Sequence, residues 1–233
     1  MLKNYLKVAL RGLARHKGYT ALNVAGLALG LACFALIMLY VRAEWSYDRY
    51  HANVDRIVRT AVETWTGDGV QRTAQAPPIW TTHMLRDFPE VEAAVRLKPP
   101  RQTWMVRYRN QQFPETNWVF ADSSVFDVFD VELIQGNPET ALVTPFTVAL
   151  SASMARKYFG SENPMGQVVT IDNQYDFEVT GVYADLPENS HFDLGFLASF
   201  VSMEDPNLLY LQNVLTTQFP FSYNYLLLRE GTD

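Results

Sequence analysis

No charged residue occurs between Gly18 and Val41, and Ala21–Val41 is apolar apart from Asn23 and Tyr40. At about 1.5 Å per residue such a run is about 31 Å long, the hydrocarbon thickness of a bilayer. A helix buried in a globular protein would show a polar face at this length, and this one shows none. The pattern predicts a transmembrane helix over residues 18–42. A cleaved signal peptide would have a shorter apolar core ending in a small-x-small site, whereas this run ends in Leu39, Tyr40 and Val41. Leu31-Ala32-Cys33 hints at a lipoprotein cleavage site, but Gly30 stands where a large aliphatic is expected and apolar sequence continues to Val41. The segment reads as an uncleaved anchor.

Upstream, Leu2, Tyr5, Leu6, Ala9, Leu10 and Leu13 recur at steps of three and four. Lys3, Lys7, Arg11 and Arg15 lie between them, and Lys17 follows. This describes an amphipathic basic helix over residues 1–17, lying in the membrane interface or docked on a cytoplasmic partner. Within the spanning segment, Asn23, Gly26, Gly30 and Cys33 share one face. The Gly26/Gly30 pair lets another helix approach closely, and with Asn23 beside it the seam predicts helix–helix packing.

Residues 43–233 alternate between strand and helix patterns without internal repeats. The spanning helix is expected to run on through Trp45 and Tyr50. Arg56–Trp65 reads as a strand, Thr66–Gly69 as a turn and Val70–Ala74 as its partner. Pro77 and Pro78 open a helix to Asp87, and Val91–Lys98 and Thr103–Arg109 look extended. Asp122 is expected to cap a short helix, Ser123–Phe129, with Val125, Phe126 and Phe129 inward. Thr147–Leu150 is a strand leading to a Ser151-capped helix that stops at Gly160. Val168–Ile171 and Tyr175–Tyr183, joined by Asp172-Asn173, form the clearest hairpin, because Tyr175, Phe177 and Val179 alternate with Asp176, Glu178 and Thr180. A helical stretch over Phe196–Gln212 and a last strand, Ser222–Leu228, complete the reading. The predicted fold class is membrane-anchored α+β: an interfacial helix, one transmembrane helix, then a mixed α/β extracytoplasmic domain. With no closing element after the last strand, the chain is expected to stop partway through a larger protein.

Charge sets the direction. Lys3, Lys7, Arg11, Arg15, Lys17 and Arg42 are six of the 19 basic residues, and no acid precedes Glu44. Basic residues resist translocation, so the N-terminus is expected in the cytoplasm and the main domain outside. That domain holds 13 bases against 25 acids, a balance of −12. A surface so acidic excludes nucleic acid as a partner. The single cysteine, Cys33, lies in the apolar segment, so the outer domain has neither disulfide nor thiolate metal site.

Chemistry is sparse. Gly160 and Gly166 bracket Ser161–Met165, but Gln167 stands where a phosphate-binding lysine is required. His16, His51, His83 and His191 are too scattered for a metal-ligand pair. Ser190-His191 with Asp193 lacks a nucleophile elbow, and adjacent loop residues seldom converge on one atom. Asn189 and Ser190 read instead as a turn, with His191 packed or facing water. Trp45, Trp65, Trp80, Trp104 and Trp118 suit core packing more than a ligand cleft. No catalytic, metal or cofactor-binding residue is assigned.

Several segments together carry a family resemblance. Arg11-Gly12-Leu13-Ala14-Arg15-His16-Lys17, Asn23–Gly30 and Tyr47-Asp48-Arg49-Tyr50-His51 open it. Ala121–Phe126, Gly136-Asn137-Pro138, Ala155–Gly160, Asn163-Pro164-Met165-Gly166, Val179–Pro187 and Asn189-Ser190-His191-Phe192 follow in order. The chain resembles the N-terminal part of ABC-transporter permeases of the MacB/FtsX type, which carry a MacB-like periplasmic core domain. Phe159, Gly160, Gly166, Gly181, Pro187, Asn189, Ser190 and His191 stand in its structural signature, with Gly160 ending a helix and Gly181 permitting close backbone approach. The resemblance implies a dimer with a second permease copy or paralogue in the bacterial inner membrane and a cognate ATPase on a separate chain, so that ATP is used by the partner. Movement would pass through a helical stalk to the outer domain for efflux, lipoprotein release or another export. An extracytoplasmic adaptor or lipoprotein is a further implied partner. The family's later membrane helices are absent from these residues, so the chain is expected to be a portion of such a permease. The alternative is a single-pass anchored module that senses a ligand outside, against which residues 1–17 are too few for a signalling domain.

Overall fold

The computed structural model describes residues 2–67, 69–99, 102–187, 189–205, 208 and 219–232. It divides into two compact units, residues 1–47 and 48–233.

The first unit is helical. Helix α1 (Leu2–Arg15) is followed by α2 (Lys17–Trp45), the two separated at His16, whose backbone leaves helical geometry at φ −111°, ψ 59°. The Thr20 hydroxyl donates to the Leu13 carbonyl across this break (2.9 Å). Among the described residues α2 is the one helix long and apolar enough to cross a membrane, and none of its residues is buried. It ends at Trp45, where Ser46 N–H and Oγ both reach the Ala43 carbonyl. The expected continuation through Tyr50 is therefore corrected: residues 46–50 are turns.

The second unit is built on one mixed sheet. In chain order the elements are a 3-10 turn (Val54–Arg56), β1 (Ile57–Arg59), β2 (Val62–Thr66), β3 (Gly69–Thr73), α3 (Ile79–Asp87), β4 (Val91–Lys98), β5 (Trp104–Tyr108), β6 (Gln111–Glu115), β7 (Trp118–Ala121), α4 (Val125–Val128), β8 (Leu133–Gly136), β9 (Thr147–Ser151), α5 (Ala152–Phe159), β10 (Val168–Ile171), β11 (Tyr175–Tyr183), β12 (Phe196–Ser199), a second 3-10 turn (Phe200–Glu204) and β13 (Tyr223–Leu228). The strands lie in the order β1-β13-β4-β7-β12-β9-β11-β10-β5-β6, with β8 also on β11, while β2 and β3 form a separate hairpin.

The middle of the sheet explains two departures from expectation. Strands β7, β12 and β9 are buried at every residue. Trp118 and Phe120 join one core cluster and Val119 and Ala121 the opposite one; Phe196 and Leu197 divide the same way. A strand covered on both faces reads as an unbroken apolar run, indistinguishable by period from a buried helix. For this reason the helix expected over Phe196–Gln212 is a strand followed by a 3-10 turn as far as Glu204; most of the remainder lies outside the described residues. Trp118 anchors the first cluster, stacked on Phe196 (centroids 5.0 Å) and edge-on to Phe177 (5.1 Å).

Other corrections follow from pairing. The single strand expected over Arg56–Trp65 is two, because β1 pairs with β13 and the chain then leaves the sheet for the β2–β3 hairpin. Strand β6 escapes a hydrophobic pattern: it is a polar edge strand carrying Pro114, tolerated where no ladder bond is lost. Asp122 does not cap α4, which has no side-chain cap. Its carboxylate instead takes the Arg96 guanidinium at 2.7 and 2.8 Å and the Arg96 N–H at 2.9 Å, tying β4 to the end of β7. Ser151 does cap α5, accepting from Met154 N–H. Strand β13 lies inside the sheet, between β1 and β4.

Two glycines differ in what they permit. Gly136 (φ +101°) faces Gly181 in the β8–β11 ladder, and a Cβ on Gly136 would sit 2.5 Å from the Thr180 carbonyl oxygen. Gly160 (φ +61°) ends α5 in open space. We predict that Gly136→Ala lowers unfolding stability by about 3 kcal/mol through clash plus strain, and Gly160→Ala by about 1 kcal/mol through strain alone. Urea titrations of the two variants would show this ranking; equal losses would contradict it.

Candidate functional site: a clasp at the start of the second unit

The second unit begins at Asp48, three residues after the end of α2. From there residues 48–56 are stitched to three distant parts of the domain. Asp48 holds a left-handed backbone (φ +56°), which short polar side chains tolerate better than most. In that conformation its N–H donates to the Asn189 carbonyl (3.1 Å), while its carboxylate accepts the His191 N–H (2.7 Å). Two residues on, the Tyr50 hydroxyl donates to Ser190 Oγ (2.8 Å), which also accepts the Phe192 N–H (3.1 Å). Burial pushes the Tyr50 hydroxyl pKa up, opposed by its bond to Ser190, so it remains a protonated donor.

The next residues reach the α4 end. His51 is buried, and its Nδ1 lies 2.7 Å from the Phe129 carbonyl. A carbonyl can only accept, so Nδ1 carries the proton. Ala52 N–H donates to the Asp130 carboxylate (2.8 Å). Arg56 then binds the Leu228 carbonyl, Glu92 and Asn53, at 2.9, 2.9 and 2.6 Å. Around these bonds Phe129, Phe192 and Tyr225 pack edge to face, with centroids 5.0 to 5.8 Å apart. The result is a clasp: the first residues of the domain grip the 189–192 loop, the 129–130 corner and strand β13.

The structure thus brings together two segments the sequence singled out separately, Tyr47–His51 and Asn189–Phe192. Of the signature residues, Asn189, Ser190 and His191 lie in the clasp, and Pro187 turns the chain into it by accepting Ser190 N–H (2.9 Å). Phe159 and Gly160 close α5, buried and left-handed respectively. Gly166 (φ +73°) donates its N–H to Val179 (2.8 Å), and Gly181 packs against Leu133 and Ala149. Of these positions Phe159 and Gly181 are buried, while Gly160 and Gly166 are exposed turn residues. Ser190 Oγ is engaged by Tyr50 and Phe192, and the His191 side chain is exposed.

On the first unit, Asn23, Gly26, Gly30 and Cys33 lie on one exposed face of α2, with open space beyond both glycines. Lys7, Arg11 and Arg15 on α1 and Lys17 on α2 are exposed, and Lys3 lies on α1. Trp104 and Trp118 are buried in the core, whereas Trp45 and Trp65 are 71% and 80% exposed. No group of three metal-ligating side chains occurs among the described residues.

Sequence reasoning missed Tyr50, Phe129, Asp130 and Tyr225 as partners of the clasp. The signal was a Tyr-Asp-Arg-Tyr-His run just past an anchor, too polar for a continuing helix. Near the clasp, burial works against the Asp185 carboxyl, but hydrogen bonds from Ser153, Arg156 and Ser151 outweigh it and hold the pKa below the usual range. Asp185 stays charged at the start of α5, where an anion suits the helix end.

Comparisons with known proteins agree with this architecture. The sequence pattern of the MacB-like periplasmic core domain matches residues 20–233. The chain belongs to that family, a component of ABC-transporter permeases. Its fold is similar to a domain of a protein assigned as a permease from Porphyromonas gingivalis, with TM-score 0.66 and 23% identity over 78% of this chain and 77% of that one. It is also similar to the periplasmic region of MacB from Actinobacillus actinomycetemcomitans, with TM-score 0.53 and 18% identity over 68% of each chain. The extracellular domain of the ABC-type transporter YknZ from Gram-positive bacteria matches with TM-score 0.50 and 16% identity, over 75% of this chain and 84% of that one. No curated protein matches the chain.

We predict that Asp48→Ala, which removes the acceptor and strains φ, speeds hydrogen exchange at the His191 amide about tenfold. Amides of β12 should exchange as before. An unchanged His191 rate would show that Asp48 does not hold the loop.

Proposed function

We propose that this chain is the front part of an ABC permease that passes movement from membrane helices to its outer domain. On this reading α2 crosses the inner membrane with its basic end in the cytoplasm, α1 lies at the inner surface against lipid or the ATPase, and the acidic domain stands outside. Domain boundaries at 17 and 42 follow from the same placement. A separate ATPase supplies nucleotide energy, and a second permease copy or paralogue completes the pair. An extracytoplasmic adaptor or lipoprotein would be met by the outer domain.

The observation that carries the reading is the clasp. A simple tether needs only a flexible linker between anchor and domain. Here the domain's first residues are bonded at Asp48, Tyr50, His51, Ala52 and Arg56 to segments from 36 to 172 residues away in sequence. A first segment held this firmly within the domain supports the reading that displacement reaching Asp48 passes into the sheet.

The exposed seam on α2 is the proposed contact with other stalk helices. We predict that Gly26→Leu with Gly30→Leu abolishes co-purification with the ATPase and partner permease from native membranes, while the chain still inserts. Assembly that survives the double substitution would remove the seam from the account.

A further inference from the structure

Beside the clasp lies a cleft of about 380 Å³ lined by Asp48, His51, Val54, Ile57, Arg59, Phe129, His191, Phe192 and Tyr225. We propose that it is a binding site for a small hydroxy-aromatic carboxylic acid. The size falls at the lower end of small-ligand pockets and is too small for a whole lipid or a folded peptide.

Val54, Ile57, Phe129, Phe192 and Tyr225 give the cleft its apolar walls, and the rest of the lining is polar. Phe192 and Tyr225 are half-buried, so part of each ring is open to a visitor, and Phe129 lies behind them. Edge-to-face rings of this kind accept a further aromatic ring.

Three polar features complete the site. Arg59 is exposed, lines the cleft with Tyr225 and makes no ion pair among the described residues. It matches a ligand carboxylate with two parallel bonds. The other two features are acceptors. Asp48 has given one oxygen to His191 and keeps the second. His51 is 4% exposed, its proton is committed to Phe129, and its Nε2 has no partner among the described residues. That nitrogen is buried, and His51 is part of the cleft's lining. A buried acceptor without a donor is costly to keep, and a ligand hydroxyl relieves it. An exposed cation, a buried unpartnered acceptor and aromatic side chains in one cleft suit a ring that carries both a carboxylate and a hydroxyl.

The assignment stands whether or not an ATPase drives the domain. Its test is calorimetric titration of the full chain in lipid nanodiscs, against empty nanodiscs, with three probes: 4-hydroxyphenylacetate, phenylacetate and 4-hydroxyphenylethanol. Saturable one-to-one binding is expected for the first. Removing the carboxylate or the hydroxyl from the probe should each weaken it about tenfold. Arg59→Gln, at an exposed position that leaves the fold intact, should weaken 4-hydroxyphenylacetate by a similar factor and leave 4-hydroxyphenylethanol unchanged. Ile57→Trp should fill the cleft and abolish binding. No saturable binding of any probe, or an affinity for 4-hydroxyphenylacetate indifferent to Arg59→Gln, would overturn the proposal.

Discussion

The carboxylate of Asp48 reaches across 143 residues of sequence to hold the amide of His191. This bond is possible only because Asp48 adopts a left-handed backbone, which turns its N–H and its side chain toward the same loop. Each hydrogen bond of the clasp is worth about 1 kcal/mol net, so the set does not hold the domain together. What it does is fix direction: the first residues of the domain cannot rotate freely against the sheet. The aromatic rings of Phe129, Phe192 and Tyr225 pack edge to face beside these bonds.

A joint is useful only if what it holds is stiff. The central strands β7, β12 and β9 are buried on both faces, and their side chains divide between two cores that share a backbone layer. Close-packed interiors transmit strain instead of dissipating it. The bidentate Arg96–Asp122 pair, with the guanidinium over Phe200 at 4.3 Å, locks β4 to the same layer. On the proposed reading, a displacement reaching Asp48 would meet β13, the α4 corner and the 189–192 loop, all joined to this sheet. The cleft beside the joint is walled by the joint's own residues, so a ligand there would stiffen or shift it directly.

How much was legible in the sequence follows from which signals survive burial. The Tyr175–Tyr183 hairpin could be read because one of its faces meets solvent along part of its length, which leaves alternation visible. Trp118–Ala121 and Phe196–Ser199 lost that alternation because both faces are covered, and one was missed while the other read as helix. Asp122 looked like a cap because local sequence offers a helix start; its true partner, Arg96, is 26 residues away and nothing local announces it. The long apolar helix α2 was legible from composition alone. The clasp was half legible: both of its segments stood out, but only the sheet topology brings them together.

The most direct test of the coupling account is a distance measurement in the assembled permease. Spin labels at Gln112→Cys, with Cys33→Ser, would report the separation of two outer domains by pulsed electron resonance with and without ATP. The account predicts an ATP-dependent shift that disappears in Asp48→Ala/Tyr50→Phe while ATP hydrolysis continues. An undiminished shift in that variant would contradict it.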